Sequence, residues 1–115
     1  MKKGEFARFW AEREARTGLV NEHGSLNTKR FLALDSATYA DGELSARTKE
    51  LMGLVASLVL RCPECVAYHL KQCLDAGVTT PELVEAMDVA LLVGGSIVIP
   101  HAREALETWL ELQKK

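Results

Sequence analysis

Apolar side chains recur at helical spacing near the start of the chain. Phe6, Phe9 and Trp10 stand three and four residues apart, which places them on one face of an amphipathic helix. Gly18 follows as a candidate C-terminal cap, because glycine readily adopts the left-handed conformation that ends many helices. The pattern therefore predicts a first helix over residues 4–17.

Polar and glycine-containing stretches separate this helix from the next two. Residues 19–25 contain asparagine, glycine and serine and predict a loop, and the apolar spacing that follows predicts a second helix over about 27–39. Asp41-Gly42 ends that helix, and Ser45 is a suitable N-cap for a third, which runs to about Leu60. Because the third helix is apolar around most of its surface, we expect it to be central.

Prolines mark the starts of the last three helices. Pro63 suits the first helical position, where its missing N–H has no partner to lose, and this makes Cys62 the N-cap of a fourth helix. Thr80-Pro81 repeats the signal for a fifth helix that ends near Gly94-Gly95, and Pro100 opens a sixth. No strand pattern competes with this assignment.

Six helices without a strand define the expected fold class, and composition narrows the partners. We expect residues 1–115 to form one all-α domain, a helical bundle packed around the third and fourth helices. A net charge of −2 gives no attraction to nucleic acid or to an anionic membrane. Residues 89–102, the longest run without a charged side chain, are too few to cross a bilayer. The charged N-terminus predicts a cytoplasmic protein. The net charge and the short uncharged run together predict neither a nucleic-acid nor a membrane partner.

Three cysteines carry the candidate chemistry. In a reducing compartment, catalytic, metal-binding or buried thiols are more typical than a disulfide framework. Cys62 and Cys65 are separated by two residues across the predicted helix start, so they can close a disulfide and support reversible two-electron chemistry. Cys73 is the odd thiol, and we expect it to be buried.

The helix start also favours a reactive thiolate. Cys65 occupies the third helical position, where free backbone N–H groups and the positive end of the helix dipole stabilise a thiolate. His69 follows one turn later on the same face and can take the thiol proton. We therefore predict Cys65 as the nucleophile and Cys62, expected to be the more exposed, as the resolving thiol. The reverse assignment stays open.

Zinc is the main competing use of these side chains. Cys62, Cys65, His69 and Cys73 are four ligands of the right chemical type. On one helix, however, Cys65 and Cys73 stand about 12 Å apart, too far for both sulfurs to bind one ion. A c-type haem would need a histidine directly after the second cysteine, where the chain has Val66. We expect neither a metal nor an organic cofactor.

One spacing in this region resembles a known family. Glu50 is followed by eleven residues, Cys62, two residues, Cys65, three residues and His69, which resembles the signature of the alkylhydroperoxidase D-like, carboxymuconolactone decarboxylase family. The resemblance implies an all-helical fold that assembles into trimers or hexamers. It also implies a proton relay in which Glu50 and His69 serve Cys65, often through water.

One position of the sequence departs from the best-known pattern of this family, and the helical rise between Glu50 and His69 bears on the proton relay. Glu64 stands where the alkylhydroperoxidase proper has a histidine, so that enzyme's substrate and reductant preferences do not transfer. Glu50 lies about 15 Å before the end of the third helix, and His69 lies about 9 Å into the fourth. A straight antiparallel hairpin misaligns the two, so a long side chain, a bridging water or a skewed crossing is needed to join them.

Three functions fit these residues. The first is a thiol-dependent peroxidase, a peroxiredoxin-type activity, or a disulfide reductase: Cys65 attacks a hydroperoxide or a partner disulfide, Cys62 resolves, and an external lipoyl- or thioredoxin-like dithiol restores both. The second is a non-redox carboxymuconolactone decarboxylase-like enzyme that uses His69 and Glu50 as acid and base. The third is a non-catalytic, redox-sensing oligomer. The resemblance implies a homotrimer or homohexamer.

Overall fold

The computed structural model describes all 115 residues as a bundle of helices. Six α-helices follow one another, with a 3₁₀ turn over Ser96–Val98 before the last: α1 (Lys3–His23), α2 (Leu26–Thr38), α3 (Ala46–Leu60), α4 (Pro63–Asp75), α5 (Thr80–Gly94) and α6 (Ile99–Leu112). The predicted fold class, six helices without a strand, is confirmed. No helix combines the length and the apolar content needed to span a bilayer.

The first helix is longer than predicted. The expected end at Gly18 and the expected loop over residues 19–25 are wrong, because α1 continues to His23. At Gly18 no atom lies within 4 Å of the place where a Cβ would stand, so this exposed glycine is tolerated at a cost of about 1 kcal/mol in helix propensity. The helix ends instead at Gly24, whose N–H donates to the Val20 carbonyl at 2.7 Å.

The helix starts follow the predicted caps closely. The Ser45 hydroxyl accepts a hydrogen bond from the Thr48 N–H at 3.1 Å at the start of α3, and Cys62 caps α4. Two starts differ by one residue from the prediction. Thr79 rather than Thr80 caps α5, and α6 begins at Ile99. A proline fits equally well at the second helical position, whose N–H also lacks an intrahelical partner.

The core lies where α3 packs on α4 and α5, with α6 packed on α4. The largest fully buried side chains include Leu54, Leu58, Leu70, Leu83, Val98 and Trp109. Burial of each such side chain contributes about 1.5–3 kcal/mol. The Trp109 indole N–H is also satisfied, because it donates to Thr80 Oγ1 at 2.9 Å. The central position predicted for α3 is therefore confirmed.

The second helix differs from the others because it buries none of its side chains. Leu26, Phe31 and Leu34 are 63%, 69% and 61% exposed. In the segment over residues 33–45, which carries the end of α2, Tyr39 is the only residue that is not exposed. The apolar spacing therefore predicted the helix, although the helix has no place in the core of its own chain.

A surface ion pair between α3 and α5 makes stability depend on pH. Arg47 pairs with Glu82, and this hydrogen bond, together with those from Thr79, lowers the pKa of Glu82 from an ordinary value of 4.5 to about 2. Because the folded state has the lower pKa, the ion pair stabilises the fold above about pH 4.5 and loses its effect as the pH falls towards 2.

Glu82→Gln is expected to lower the melting temperature at neutral pH, since glutamine keeps the helix cap but removes the charge. The difference from the wild type should shrink below pH 4.5 and be mostly lost near pH 2. Thermal denaturation across this pH range measures it, with the exposed Glu85→Gln on the same helix as the control. A deficit that persists unchanged at the lowest pH would contradict the assignment.

Candidate active site

A tight turn between α3 and α4 brings the cysteine pair to the start of α4. Arg61 has a left-handed backbone, with φ of 59°, and the Cys62 N–H returns to the Ser57 carbonyl at 3.1 Å. The Cys65 N–H donates to Cys62 Sγ at 3.3 Å, the capping bond predicted for this helix. Both sulfurs therefore lie at the positive end of the α4 dipole.

Cys62 and Cys65 form a disulfide, with their Cα atoms 5.3 Å apart. Their exposures are the reverse of the prediction: Cys62 is half-buried and Cys65 is exposed. The prediction was wrong because the N–H of Cys62 returns to Ser57 and holds this residue against the end of α3, whereas Cys65 lies on the outer side of the first turn. A substrate or a partner thiol therefore reaches Cys65 more easily.

Glu50 and His69 meet inside the interface between α3 and α4. His69 Nδ1 lies 2.8 Å from Glu50 Oε2, and each residue is only 8% exposed. The offset expected for a straight hairpin is therefore spanned by the two side chains directly, without a bridging water. Because a carboxylate only accepts, Nδ1 is the donor and Nε2 is the nitrogen left for other partners.

Two tyrosines flank the imidazole. The ring centroids of Tyr39 and Tyr68 lie 5.5 Å and 5.1 Å from that of His69. Burial, and then the negative charge of Glu50, raise the pKa of both phenols above the ordinary value of 10, so both hydroxyls are uncharged at neutral pH. Sequence reasoning missed both residues. Tyr39 is remote from the cysteines in the chain, and Tyr68 gave no signal beyond its position next to His69.

A pocket of about 250 Å³ joins the exposed cysteine to the imidazole. Its lining residues are Phe9, Arg13, Asp35, Glu64, Cys65, Tyr68 and His69. The Arg13 guanidinium lies 4.1 Å from the centroid of the Tyr68 ring, and Trp10 stacks on the same ring at 5.9 Å. The apolar spacing in α1 predicted only a packed helix face, but α1 also supplies a wall of this pocket.

Cys73 is fully buried in the core, as predicted. Burial, with a further contribution from the charge of Glu50, raises the pKa of this thiol to about 12. It is therefore a neutral thiol at physiological pH and a poor nucleophile, because the thiolate is the reactive form.

Alkylation of the reduced, native protein with iodoacetamide is expected to modify Cys62 and Cys65 and to leave Cys73 free, since only the first two are accessible. Intact-mass measurement counts the added groups, and the same reaction after unfolding provides the control in which all three cysteines react. Rapid modification of Cys73 in the native protein would contradict its assignment as an inert core residue.

The fold and the site together define a class of protein: an all-helical bundle with a cysteine pair at a helix start, beside a buried carboxylate–imidazole pair. No group of three or more His, Cys, Asp or Glu side chains is placed to hold a metal ion. The sequence pattern of the carboxymuconolactone decarboxylase family matches residues 26–108. The chain belongs to this family.

The chain is also similar in sequence and structure to individual proteins. The protein known as uncharacterized protein 4 in cox locus, from Paracoccus denitrificans, is 34% identical over 92 residues, which cover 80% of this chain and 83% of the relative. TM1620 from Thermotoga maritima is 53% identical, and its crystal structure superposes with a TM-score of 0.90 over 92% of this chain and 93% of that one. In a second crystal structure, TM1620 is described as a carboxymuconolactone decarboxylase family protein with a suggested involvement in antioxidative response. Apo-lpg0406 from Legionella pneumophila, a member of the same family, is 26% identical with a TM-score of 0.88, covering 96% of this chain and 98% of that one.

Proposed function

We propose that this chain is a thiol-dependent oxidoreductase that reduces hydroperoxides with the Cys62/Cys65 pair. The observation that supports it best is an exposed Cys65, disulfide-bonded to Cys62, that lines the same pocket as His69. A nucleophilic cysteine needs a base within reach and a third group that orients the base, and Glu50 bonds to His69 at 2.8 Å. The antioxidative response suggested for TM1620 points in the same direction.

The proposed cycle begins with the reduced pair. The Cys65 thiolate attacks the distal oxygen of the hydroperoxide, the O–O bond breaks, and a sulfenic acid and an alkoxide form; the alkoxide takes up a proton and leaves as the alcohol. The Cys62 thiol then attacks the Cys65 sulfur, releases water and closes the disulfide. An external dithiol of the lipoyl or thioredoxin type reduces this disulfide and is itself oxidised.

His69 and Glu50 are proposed as the proton relay of this cycle. Cys65 and His69 are one helical turn apart on α4. The imidazole can take the thiol proton through Nε2 and return it to the departing alkoxide, while Glu50 orients the ring and stabilises the imidazolium. Removal of either group would therefore slow formation of the thiolate without preventing the disulfide from closing.

A disulfide reductase is the second candidate, because an exposed Cys65 is also open to the disulfide of a partner protein. Decarboxylase-like acid–base chemistry would use only His69 and Glu50 and would leave the cysteine pair without a role. A redox-sensing oligomer would use the pair without turnover. The peroxidase and the disulfide reductase both give a role to all four residues, and the antioxidative response suggested for TM1620 favours the peroxidase.

We also propose that the protein works as a homotrimer or homohexamer in the reducing cytoplasm, where dithiol reductants are available. The side chains of α2 are unburied, and an apolar groove of about 540 Å³ lies between α3 and α5. Exposed apolar patches of this kind favour association with a partner. We propose that the partners are further copies of the same chain. Sedimentation equilibrium of the purified protein tests this, and a monomer at micromolar concentration would reject it.

The proposed activity is tested by the consumption of cumene hydroperoxide by the reduced protein, with dihydrolipoamide as electron donor. We expect many turnovers with the donor and one disulfide per peroxide consumed without it. Protein whose accessible thiols have been alkylated is the control. Consumption no faster than in this control would reject the peroxidase, and reduction of a model disulfide by the same sample would then favour the disulfide reductase.

A further inference from the structure

We infer that Tyr39 is a positioning residue for His69, held in place by Lys49 and given room by Gly53. The inference extends the proposed function, because it concerns the orientation of the imidazole that serves Cys65. Tyr39, Lys49 and Gly53 all lie outside the family spacing pattern, which consists of Glu50, the cysteine pair and His69.

Tyr39 makes the inward contact of an otherwise exposed segment. Every other residue over 33–45 is exposed, so the core does not hold this stretch. The Tyr39 ring packs on the imidazole of His69, with 5.5 Å between the centroids. It therefore covers the His69 side of the buried pair, while Tyr68 meets the same imidazole edge-on at 5.1 Å.

Lys49 holds the backbone on both sides of this tyrosine. Its Nζ donates to the Thr38 carbonyl at 2.9 Å and to the Ala40 carbonyl at 2.7 Å. Two charge-assisted bonds from one ammonium to carbonyls that bracket a single residue restrict the direction of that residue's side chain. Lys49 also immediately precedes Glu50. Two adjacent residues of α3 therefore act on His69, Glu50 by a direct hydrogen bond and Lys49 by fixing Tyr39 against the ring.

Gly53 supplies the space in which the imidazole and the phenol meet. A Cβ at this position would lie 2.6 Å from His69 Cε1, 2.8 Å from His69 Nε2 and 2.7 Å from the Tyr39 hydroxyl. Real Cβ contacts are essentially never so short, so any other residue would displace one of the two rings. Glycine is a poor helix former, and this close approach explains its presence inside α3.

Gly53 lies between Lys49 and Glu50 around the circumference of α3, because it follows them by four and three residues. From these positions Glu50 binds Nδ1, Gly53 admits the Nε2 edge and Lys49 fixes the tyrosine that packs on the ring. The expected result is a single orientation of the imidazole, with Nδ1 bonded to Glu50 and the Nε2 edge facing Gly53. Without Tyr39 the ring gains room to rotate away from it.

The first test compares Tyr39→Ala with Tyr39→Phe. The ¹⁵N signals of His69 in the reduced protein, assigned with a His69→Gln sample and recorded at a pH where the ring is neutral, are expected to show one tautomer in the wild type and in Tyr39→Phe, and a mixture in Tyr39→Ala. The kcat of the proposed peroxidase should fall about 10–100-fold in Tyr39→Ala with little change in KM, the effect of a small misplacement. Wild-type signals and rates in Tyr39→Ala would overturn the inference.

The second test uses paired glycine substitutions. Gly53→Ala is expected to disturb the His69 signals and lower kcat, whereas Gly18→Ala, at a helical glycine with open space around it, should leave both unchanged. Undisturbed His69 signals in Gly53→Ala would overturn the role given to this glycine. Because the NMR measurement requires no turnover, it tests the inference even where the wild type consumes no hydroperoxide and the proposed function fails.

The third test concerns Lys49 and remains usable if Tyr39→Ala does not fold. Lys49→Met keeps the aliphatic stem and removes both backbone hydrogen bonds, so it should mix the His69 tautomers as Tyr39→Ala does. Lys71→Met, which removes only a surface pair with Asp75, is the control. Wild-type His69 signals in Lys49→Met would overturn the role given to this lysine. Where Tyr39→Ala folds, combining Lys49→Met with it should add no further loss of kcat. Losses that multiply would show that Lys49 acts independently of the tyrosine.

Discussion

Replacement of Cys65 by serine is expected to reduce hydroperoxide consumption to the rate of a protein-free blank. A serine hydroxyl is not ionised at neutral pH, and it forms neither a sulfenic acid nor a disulfide, so both halves of the proposed cycle are lost. The measurement is the initial rate of cumene hydroperoxide loss with excess dihydrolipoamide. Cys73→Ala, which removes the buried thiol instead, is the matched control and should keep at least half of the wild-type rate.

The companion variant Cys62→Ser separates the roles of the two sulfurs. Without a resolving thiol, Cys65 should react once and remain as a sulfenic acid that dimedone traps, detected by peptide mass spectrometry. The opposite outcome, with turnover or a trapped sulfenic acid at Cys62 in the Cys65→Ser protein, would reverse the assignment. The exposed position of Cys65 is the reason for expecting the first outcome.

His69→Gln is expected to lower kcat/KM about 10²–10⁴-fold, the usual contribution of a positioned acid or base. Glutamine has a similar size and can still donate to Glu50, so the variant tests proton transfer rather than packing. The same assay measures the effect. His23→Gln is the control, because the side chain of His23 is 73% exposed and lies outside the pocket.

Glu50→Gln extends this test to the carboxylate. If Glu50 acts only by holding and stabilising His69, the double variant should be no slower than His69→Gln alone. Losses that multiply would mean that Glu50 contributes to the reaction separately from the imidazole. Circular dichroism of each variant is needed beside the rates, since removal of one member of a buried hydrogen-bonded pair leaves the other without its partner and also destabilises the fold.

Local chemistry determined how much of the fold could be predicted. Ser45 and Cys62 were identified as caps because a side chain that accepts a backbone N–H bond, or a proline after it, is visible in the sequence. The end of α1 could not be found in the same way. Gly18 carries the chemistry of a helix stop, but whether glycine stops a helix depends on the turns around it, and here α1 continues for five more residues.

The site was predictable where it follows one helix and unpredictable where it crosses between elements. Cys65 and His69 share a face of α4 by spacing alone. The bond between Glu50 and His69 depends on how α3 packs on α4, and only the family resemblance suggested it. Tyr39 gave no signal at all, because its contact with His69 depends on where the mainly exposed segment after α2 returns to the bundle.

The burial of Cys73 also limits how many electrons the chain can exchange. With this sulfur enclosed in the core, Cys62 and Cys65 have no third thiol in the same chain with which to pair. In the proposed cycle each chain would therefore exchange one electron pair between its dithiol and disulfide forms, and no disulfide isomers would compete with them. An assembly of identical chains would take up electrons in whole pairs, one pair for each copy.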